Sequence, residues 1–263
     1  MTSISVIGDL HGYHNRYVSL LLEARLIDAD QNWIGGDRHL WLIGDIFDRG
    51  PTGVECLSLT IKLQSQARTV GGEVQSLLGN HEMMLLCAYR MRQIGSDVSD
   101  SITSQWISWG GIQRDLDLLT EEQADWLTEL PAMARLGDRL LIHADALIYV
   151  TLGLNIPDVN KAFKTVMQST DINDWIVVLG GFSDHKAFSD LLMTGTKRAQ
   201  SILKHFGGDQ IIHGHTPISI ARNVAADTVT EPWCYASDLC LNVDGGIYLG
   251  GPGFVYQFEI SEA

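Results

Sequence analysis

The stretch Ile4-Ser5-Val6-Ile7-Gly8-Asp9-Leu10-His11-Gly12 joins an apolar run to an acidic and an imidazole side chain set between glycines. The apolar residues at 4–7 predict a β-strand. Glycine permits the tight turn that exposes side chains at the end of a strand. The N-terminal residues therefore predict a strand that presents Asp9 and His11 at its carboxyl end.

Four later apolar runs end in the same way, at Asp, Asn or His side chains. Each run is short and bounded by such polar residues, so each predicts a strand. The runs and the residues that follow them are 40–43 with Gly44-Asp45-Ile46-Phe47-Asp48-Arg49-Gly50, 74–78 with Gly79-Asn80-His81-Glu82, 140–142 with His143, and 210–212 with His213-Gly214-His215-Thr216.

Helical periodicity fills the intervals between these strands. Apolar residues at helical spacing predict helices after Asp9, over 52–68 and over 82–94. We also expect a mostly helical cap at about 97–135 and a mainly helical insertion at about 155–205. Strands that alternate with helices predict an α/β fold.

The residues after Thr216 form short apolar segments separated by glycines. The segments at 239–243, 247–249 and 254–260 predict antiparallel strands at a sheet edge. In open α/β sheets, ligand sites lie beyond the carboxyl ends of the strands. We therefore expect the motifs at those ends to form one site.

Composition favours a single domain over residues 1–263. With 45% hydrophobic and 19% charged residues, the chain can bury a sizeable core, and no compositional break divides it. The net charge of −14 opposes binding to nucleic acid or to an anionic membrane, because both need a positive protein face. No apolar segment reaches the roughly 18 residues that a membrane span needs.

Cysteine spacing and the first residues of the chain indicate a cytoplasmic protein. The cysteines show no CxxC spacing, which argues against a disulfide framework or a four-cysteine zinc site. They are Cys56, Cys87, Cys234 and Cys240. The chain starts in a strand without the basic and apolar segments of an export signal. No pattern specifies an oligomeric state.

The Asp, Asn and His side chains at the strand ends predict a centre of two metal ions. Asp9 and His11 are one residue apart, so one turn can aim both at a first ion. Asp45 follows another strand and can bridge that ion to a second. The second ion would then take one amide oxygen and two imidazole nitrogens, from Asn80, His143 and His215. We expect Mn²⁺, and the same ligands also accept Fe or Zn²⁺.

Two ions that share a carboxylate can clamp the attacking and leaving oxygens of a phosphoryl displacement and deprotonate a water held between them. Arg49 offers the planar fork that pairs with phosphate. His81 is placed to protonate the leaving group, and Asp48 to orient His81 and favour its charged form. Glu82 is expected to support the site or the first helical turn rather than to bind metal.

The motifs GDxHG, GDxxDRG and GNHE, in this order and followed by single histidines, resemble those of the calcineurin-like metallophosphoesterases of the phosphoprotein-phosphatase branch. The resemblance extends from residue 8 to about 250. Trp33-Ile34-Gly35-Gly36 and Gly71-Gly72 make the chain similar to bacterial and Shewanella-like protein phosphatases. The resemblance implies a two-sheet αββα sandwich with a helical cap.

The resemblance also implies roles for the matched residues. The first metal would be held by Asp9, His11 and Asp45, and the second by Asp45, Asn80, His143 and His215. Catalysis would proceed by attack of a metal-bridging hydroxide, with His81 as general acid and with Asp48 and Arg49 beside it. Substrate would be bound by Arg49, by Asn80 and by a second cationic residue.

Two positions depart from the family pattern. The sequence His143-Ala144-Asp145 places a carboxylate where the family has an uncharged residue. Asp145 could cap local backbone, repel an anionic substrate or alter the metal preference. The second phosphate-binding arginine of the family has no clear motif here, and Arg198 is the candidate for it.

Several other notable residues are interpreted as structural. The side chain of His213 is expected to point away from that of His215. Asp244 precedes Gly245-Gly246 and is predicted to be a turn residue. Packing within the cap, rather than stacking on substrate, is predicted for Trp106, Trp109 and Trp126.

The residues and the resemblance together predict a dimetal phosphatase that hydrolyses phosphomonoesters. Its partner would be a phosphorylated protein or peptide, on Ser/Thr or Tyr, or a small phosphate ester. Close relatives cleave diadenosine polyphosphates symmetrically on the same frame, and this is one alternative. A phosphate- or metal-binding module with little turnover is the other, suggested by Asp145 and by the missing arginine motif.

Overall fold

The computed structural model describes residues 1–95, 98–189 and 194–260, and within these ranges nine strands form two mixed sheets. The strands are β1 (Thr2–Ile7), β2 (His39–Leu42), β3 (Glu73–Ser76), β4 (Met133–Leu136), β5 (Arg139–Ile142), β6 (Gln210–His213), β7 (Trp233–Tyr235), β8 (Cys240–Asn242) and β9 (Val255–Ile260).

Helices occupy most of the chain between these strands. They are α1 (His14–Glu23), α2 (Gly53–Arg68), α3 (Asn80–Gln93), α4 (Ser99–Ser108), α5 (Gln113–Leu118), α6 (Glu121–Thr128), α7 (Tyr149–Leu152), α8 (Ile156–Met167), α9 (Ile172–Phe182), α10 (Thr194–Phe206) and α11 (Ile218–Arg222). Side-chain caps begin several of them, and Thr120, for example, accepts a hydrogen bond from the backbone N–H of Gln123 at the start of α6.

The first sheet has the strand order β3-β2-β1-β9. Strands β1, β2 and β3 are parallel, and β9 runs antiparallel to β1 at the edge. The second sheet has the order β4-β5-β6-β8-β7, in which β5, β6 and β8 are parallel and the two edge strands are antiparallel. Each sheet thus has a parallel centre, the arrangement that gathers loops at the carboxyl ends of strands.

The two sheets pack face to face, and helices cover their outer faces. Alternation along β2 shows the two layers: Trp41 belongs to an apolar cluster between the sheets, whereas Leu40 and Leu42 belong to the larger cluster that includes the helices. The cluster between the sheets contains Ile4, Val6, Trp41, Ile43, Leu77, Leu141, Ile212, Leu241 and Val243. The αββα sandwich predicted from the motifs is therefore confirmed.

The predicted helical regions contain helices with different limits. Helices α4, α5 and α6 lie within the predicted cap, but they end at Thr128, and β4 begins at Met133 because its backbone pairs with β5. The helical expectation was therefore wrong for the last residues of the range, and Asp97 at its start lies outside the described residues. Helices α8, α9 and α10 lie within the predicted insertion, of which 190–193 lie outside the described residues.

The C-terminal tail differs from the predicted set of antiparallel edge strands. Strand β8 lies inside the second sheet and parallel to β6. Residues Ile247–Leu249 form a 3₁₀ turn instead of a strand, because Gly246 and Gly250 on either side adopt left-handed backbone conformations that end any extended pairing. Only β9 matches the expected antiparallel edge strand, and the edge strands β4 and β7 were not predicted.

Candidate metal centre and active site

The sheet registers bring the sequence motifs to one edge of the molecule. The three parallel strands of the first sheet end level with one another, because Ile7 pairs with Leu42 and Leu42 with Ser76. The segments just beyond these ends carry Asp9, Asp45 and Asn80. In the second sheet, β5 and β6 also pair in register and are followed by His143 and His215. Residues from five separate loops therefore converge between the carboxyl ends of the two sheets.

Glycine is required where these loops approach one another. A Cβ atom on Gly79 would clash with the Asp45 side chain, and one on Gly214 would clash with the Asp9 carboxylate. The backbone N–H of His215, next to Gly214, donates to both Asp9 carboxylate oxygens at 3.1 Å. The glycines beside the motif residues therefore let backbone groups reach the carboxylates.

One group of candidate ligand atoms surrounds His11. Its Nδ1 donates to the carbonyl oxygen of Phe47 at 3.0 Å, which leaves the Nε2 lone pair free. This Nε2 lies 3.9 Å from Asp9 Oδ2 and 3.7 Å from Asp45 Oδ2. His81 also approaches the group, with its Nε2 4.0 Å from Asp45 Oδ2. The carboxylate and imidazole groups gathered here could hold one metal ion.

A second group surrounds the amide oxygen of Asn80. This oxygen lies 3.0 Å from His143 Nε2 and 3.0 Å from His215 Nδ1. The Asn80 Nδ2 donates to the Ser183 hydroxyl, which aims the amide oxygen at the histidines. His143 Nδ1 donates to the carbonyl of Ile43 at 2.8 Å, so its Nε2 faces the ligand group and could bind a metal ion after losing its proton.

Asp45 belongs to both groups, since its side chain can complete a metal site with His11 and His81 and another with His143 and His215. One carboxylate oxygen, Oδ1, lies 3.3 Å from His143 Nε2. The other oxygen, Oδ2, faces His11. Although burial alone would raise its pKa, attraction to His143 and His81 holds the pKa of Asp45 well below its usual value. A charged carboxylate with its two oxygens turned to two ligand groups is suited to bridging two ions.

Glu82 joins the loops but does not face the ligand groups. Its carboxylate accepts backbone N–H groups from both neighbouring motif loops, at 2.8 Å from Asp45, 2.7 Å from Ile46 and 2.8 Å from Gly79. Burial, with repulsion from Asp45, raises the pKa of Glu82 to about 7. Its predicted supporting role agrees with these contacts.

Asp244 also lies against the centre, although its sequence context predicted only a turn. It does form the turn, because Oδ1 accepts the backbone N–H of Gly246 at 2.8 Å. Its buried Oδ2, however, has no hydrogen-bond partner among the described residues. Burial and repulsion from Asp45 raise the pKa of Asp244 to about 7, and burial and Asp244 in turn raise that of Asp9 well above its ordinary value.

The donor set fits two divalent ions. Buried carboxylates repel one another strongly in a protein interior, and a cation between them removes that cost. The imidazoles of His11 and His143 each have one nitrogen committed to a backbone carbonyl and the other turned towards the oxygens of the ligand groups. Burial lowers the pKa of His11 well below its usual value and that of His215 to about 3, so both are neutral and able to coordinate.

The metal-free protein should lose stability as the pH rises from 6.5 to 8.5. Burial alone would lower the pKa of His143, but attraction to Asp45, a hydrogen bond with it and attraction to Asp9 together raise this pKa to about 10. The stabilisation from the charged His143 imidazole is complete below about pH 6.5, which is the pKa of histidine in the unfolded chain. It is lost as the pH rises towards 10, the pKa in the folded protein. We expect the melting temperature of chelated protein to fall by several degrees over this interval.

Differential scanning fluorimetry of chelated protein at both pH values measures this change. His143→Asn should reduce the pH dependence, with the remainder coming from Glu82 and Asp244, whereas His205→Asn, which changes an exposed histidine of α10, should keep it whole. Added Mn²⁺ should stabilise the wild type more at pH 8.5, because a coordinating imidazole must be neutral. A melting temperature of the chelated wild type that rises over the interval would contradict the assignment.

His81, Asp48 and Arg49 form a second unit beside the ligand groups. The Asp48 carboxylate lies 2.7 Å from His81 Nδ1, and both side chains are buried. The guanidinium of Arg49 lies 3.3 Å from His81 Nε2 and 3.9 Å above the ring of Tyr248. His81 thus presents Nε2 to the cleft while Asp48 holds the opposite edge of its ring.

Several residues of this unit and of the ligand groups have strained backbone conformations. Of the twelve non-glycine residues with left-handed conformations in the described chain, five belong here, and each such conformation costs about 1 kcal/mol or more. They are His11, Asp45, Asp48, Arg49 and His215, with φ between 48° and 71°. Hydrogen bonds from neighbouring loops hold these conformations, for example the bond of 2.7 Å from the Arg49 N–H to the carbonyl of Gly110.

A cleft of about 400 Å³ opens over the ligand groups. Its lining residues are Arg49, Asn80, His81, Met84, Trp109, Ser183, His185, Lys186, His215, Thr216, Pro217, Ile220 and Tyr248. An apolar cavity of about 460 Å³ adjoins it and shares Met84, Trp109 and Ser183. Trp109 is 51% exposed and borders both the cleft and the cavity. Packing within the cap, which is the role predicted for Trp109, therefore does not account for its position.

Arg198 does not line the cleft. It lies on an exposed part of α10 and donates to the carbonyl of Ala187. Beside Arg49, the cleft is lined by the Lys186 ammonium and by the imidazole of His185, from the loop after α9. Neither residue was predicted, because the loop carries no motif and its position depends on contacts with distant residues.

Asp145 and His213 lie behind the ligand loops. The Asp145 carboxylate accepts hydrogen bonds from the hydroxyls of Thr216 and Tyr235, at 3.3 and 3.5 Å, and its backbone oxygen accepts the N–H of Ala187. Asp145 therefore supports loops and is not among the residues that face the cleft. His213 forms a hydrogen bond of 2.8 Å with Tyr235, as its predicted structural role requires.

Comparison with protein families gives an extended match. The family model described as Calcineurin-like phosphoesterase matches residues 2–219. A Shewanella-like protein phosphatase 1 of Plasmodium berghei is 38% identical over 86 residues, which are 33% of this chain and 24% of that protein. The chain thus spans about a quarter of the length of this relative.

Two further proteins match over nearly the whole chain. A symmetrical bis(5'-nucleosyl)-tetraphosphatase of Chromohalobacter salexigens is 27% identical over 249 residues, covering 90% of this chain and 79% of that protein. The crystal structure of a cold-active protein-tyrosine phosphatase of a psychrophilic Shewanella species superposes with a TM-score of 0.75 at 24% identity, covering 98% of this chain and 74% of that one. The latter likeness shows the fold.

Proposed function

Because the chain belongs to the calcineurin-like phosphoesterase family, whose members are metal-dependent phosphoester hydrolases, we propose that it hydrolyses phosphomonoesters carried by proteins or peptides. One observation carries the proposal: Asp45 belongs to two adjacent groups of metal ligands. The pair His81 and Asp48 and the guanidinium of Arg49 stand beside these groups. Ligands, an acid and a phosphate clamp therefore meet at one cleft.

Asp9, His11 and Asp45 hold the first ion in this proposal. Asp45, Asn80, His143 and His215 hold the second. Mn²⁺ is the proposed metal, and Fe or Zn²⁺ suits the same mixture of oxygen and nitrogen ligands. When bound, the ions supply polarisation of the phosphoryl oxygens and generation of the nucleophile from water at neutral pH.

The side chains of the chain perform the remaining steps. Arg49 pairs with two phosphoryl oxygens, and the Tyr248 ring beneath it restricts the guanidinium to the cleft. His81 donates the Nε2 proton to the leaving oxygen, and Asp48 at Nδ1 keeps the ring in the orientation that this transfer needs. Asn80 contributes to substrate binding from the edge of the second ligand group.

Lys186 replaces Arg198 as the second source of positive charge, with the imidazole of His185 beside it as a hydrogen-bonding group. The chain carries a net charge of −14, so a dianionic phosphate needs local cations at the cleft. Both residues line the cleft, as Arg49 does. Asp145 fixes their loop through the bond from the Ala187 N–H, so its charge serves structure and does not face the substrate.

Symmetrical hydrolysis of dinucleoside polyphosphates is the second candidate. The match to the tetraphosphatase of Chromohalobacter salexigens covers 90% of this chain. The apolar cavity beside the cleft is bordered by Trp106 and Trp109, whose rings could stack on a base. The first candidate is favoured because the cleft opens to solvent and the cavity that adjoins it among the described residues is mainly apolar.

One assay separates these possibilities. Chelated protein is reconstituted with Mn²⁺ and tested against phosphotyrosine and phosphoserine peptides, an aryl phosphate and diadenosine tetraphosphate. We expect turnover of at least one phosphopeptide well above that of the nucleotide, and loss of turnover on chelation. Preference for diadenosine tetraphosphate would establish the second candidate. Phosphate binding without turnover of any ester would replace both by a binding module.

A further inference from the structure

The cap reaches the proposed catalytic unit through a tryptophan. Trp106, near the end of α4, is 2% exposed and donates its indole N–H to Asp48 Oδ2 at 2.8 Å. The same oxygen lies 2.7 Å from His81 Nδ1. The other carboxylate oxygen of Asp48 is buried without a hydrogen-bond partner among the described residues. Trp106 is thus the second of two donors that fix this carboxylate.

The same turn of the cap also holds the backbone of the unit. The Gly110 carbonyl, four residues after Trp106, accepts the Arg49 N–H at 2.7 Å. The Gly111 backbone lies against the Trp106 ring, and a Cβ atom at Gly111 would clash with that ring. Asp48 and Arg49 both have left-handed backbone conformations, with φ of 71° and 66°. The cap therefore holds one catalytic side chain and the strained backbone next to it.

We propose that Trp106 is a positioning residue for the reaction: its indole N–H orients the Asp48 carboxylate, which in turn orients His81. The proposal rests on the proposed function, since it assigns His81 the protonation of the leaving group. A carboxylate that accepts both donors at one oxygen has its plane fixed. Without Trp106 it can rotate, and His81 loses the alignment of Nε2 with the leaving oxygen.

Trp106→Phe tests the proposal because it removes the N–H and keeps most of the ring. The matched control is Trp175→Phe, which changes an equally buried tryptophan whose indole N–H donates to the Ser169 carbonyl outside the cleft. For Trp106→Phe we expect kcat on a poor alkyl leaving group to fall about 10-fold. An activated aryl phosphate should change less than twofold, with KM and Mn²⁺ content retained. Trp175→Phe should affect both substrates equally.

A double-mutant cycle with Asp48→Asn identifies the path of the effect. If Trp106 acts through Asp48, the double variant should lose no more activity on the poor leaving group than Asp48→Asn alone. Additive losses, or equal losses on both substrates for Trp106→Phe, would overturn the proposal. An inactive wild type would instead reject the proposed function, so the two failures are distinguishable.

A measurement on Asp48→Ala covers the case in which Trp106→Phe does not fold. The Trp106 indole proton should exchange with solvent deuterium at least about 10-fold faster in Asp48→Ala than in the wild type, because its acceptor is lost. The Trp175 indole proton should be unaffected. An unchanged exchange rate at Trp106 in the folded variant would show that the hydrogen bond to Asp48 does not form.

Discussion

Asp45→Asn is expected to lower phosphatase activity by at least about 10³-fold and to reduce bound metal from two ions to one or none. In the proposed centre the Asp45 carboxylate would supply one oxygen to each ligand group, whereas an amide has one oxygen and no charge. Loss of several kcal/mol of transition-state stabilisation corresponds to this factor. Metal analysis by mass spectrometry and kinetics on an aryl phosphate measure the two effects.

The neighbours of Asp45 explain why no other carboxylate replaces it. Its Oδ1 accepts the His81 backbone N–H at 3.1 Å, which fixes the direction of the carboxylate. Asp9 lies on the side of the first group, 3.9 Å from His11 Nε2, and the Glu82 carboxylate is engaged by backbone donors. The control is Asp227→Asn, which changes an exposed aspartate and should leave metal content and kinetics unaltered. Two ions still bound to Asp45→Asn would refute the bridging role.

His81→Asn is expected to leave both ions bound and to lower kcat for poor leaving groups by about 10²- to 10⁴-fold. An activated aryl phosphate departs without a proton, so its hydrolysis should fall by about 10-fold or less. The reason is that His81 Nδ1 is held by Asp48 at 2.7 Å, which leaves Nε2 to serve as the proton donor. The comparison of leaving groups isolates this proton transfer from binding.

Metal content decides between two roles that geometry permits for His81. Its Nε2 lies 4.0 Å from Asp45 Oδ2, close enough for His81 to complete a ligand group with His11. A histidine ligand that donates its other nitrogen to a carboxylate is common in metal sites. Retention of two ions in His81→Asn supports the acid, whereas loss of one ion would make His81 a ligand. His205→Asn is the matched histidine control.

The ligand loops were predictable because their signals are local. An apolar strand, a glycine and a polar side chain within a few residues specify both a turn and a ligand, as at Asp9 and Asn80. Parallel pairing then brings such turns to one edge without further information. The α/β class and the region of the candidate metal centre therefore followed from short segments of sequence, whereas the two-sheet arrangement followed from the family resemblance of the motifs.

The cations and aromatic residues around the ligands were not predictable in this way. Trp106 meets Asp48 across 58 positions of sequence, and Arg49 meets Tyr248 from the other end of the chain. Lys186 reaches the cleft because Asp145 holds its loop from behind. None of these contacts produces a pattern in neighbouring residues. Arg198 is predicted only because the family resemblance implies an arginine between His143 and His215.

The amino-acid sequence by itself determined the ligand types, the strands that present them and the class of reaction, because each depends on side-chain chemistry and backbone preferences within about ten residues. Tertiary structure alone decided which charged side chains line the cleft and that Trp106 of the cap contacts Asp48. It also decided that Ile247–Leu249 form a 3₁₀ turn, which places the Tyr248 ring beneath Arg49. Those features depend on packing between distant segments, where burial and long-range hydrogen bonds outweigh local preference.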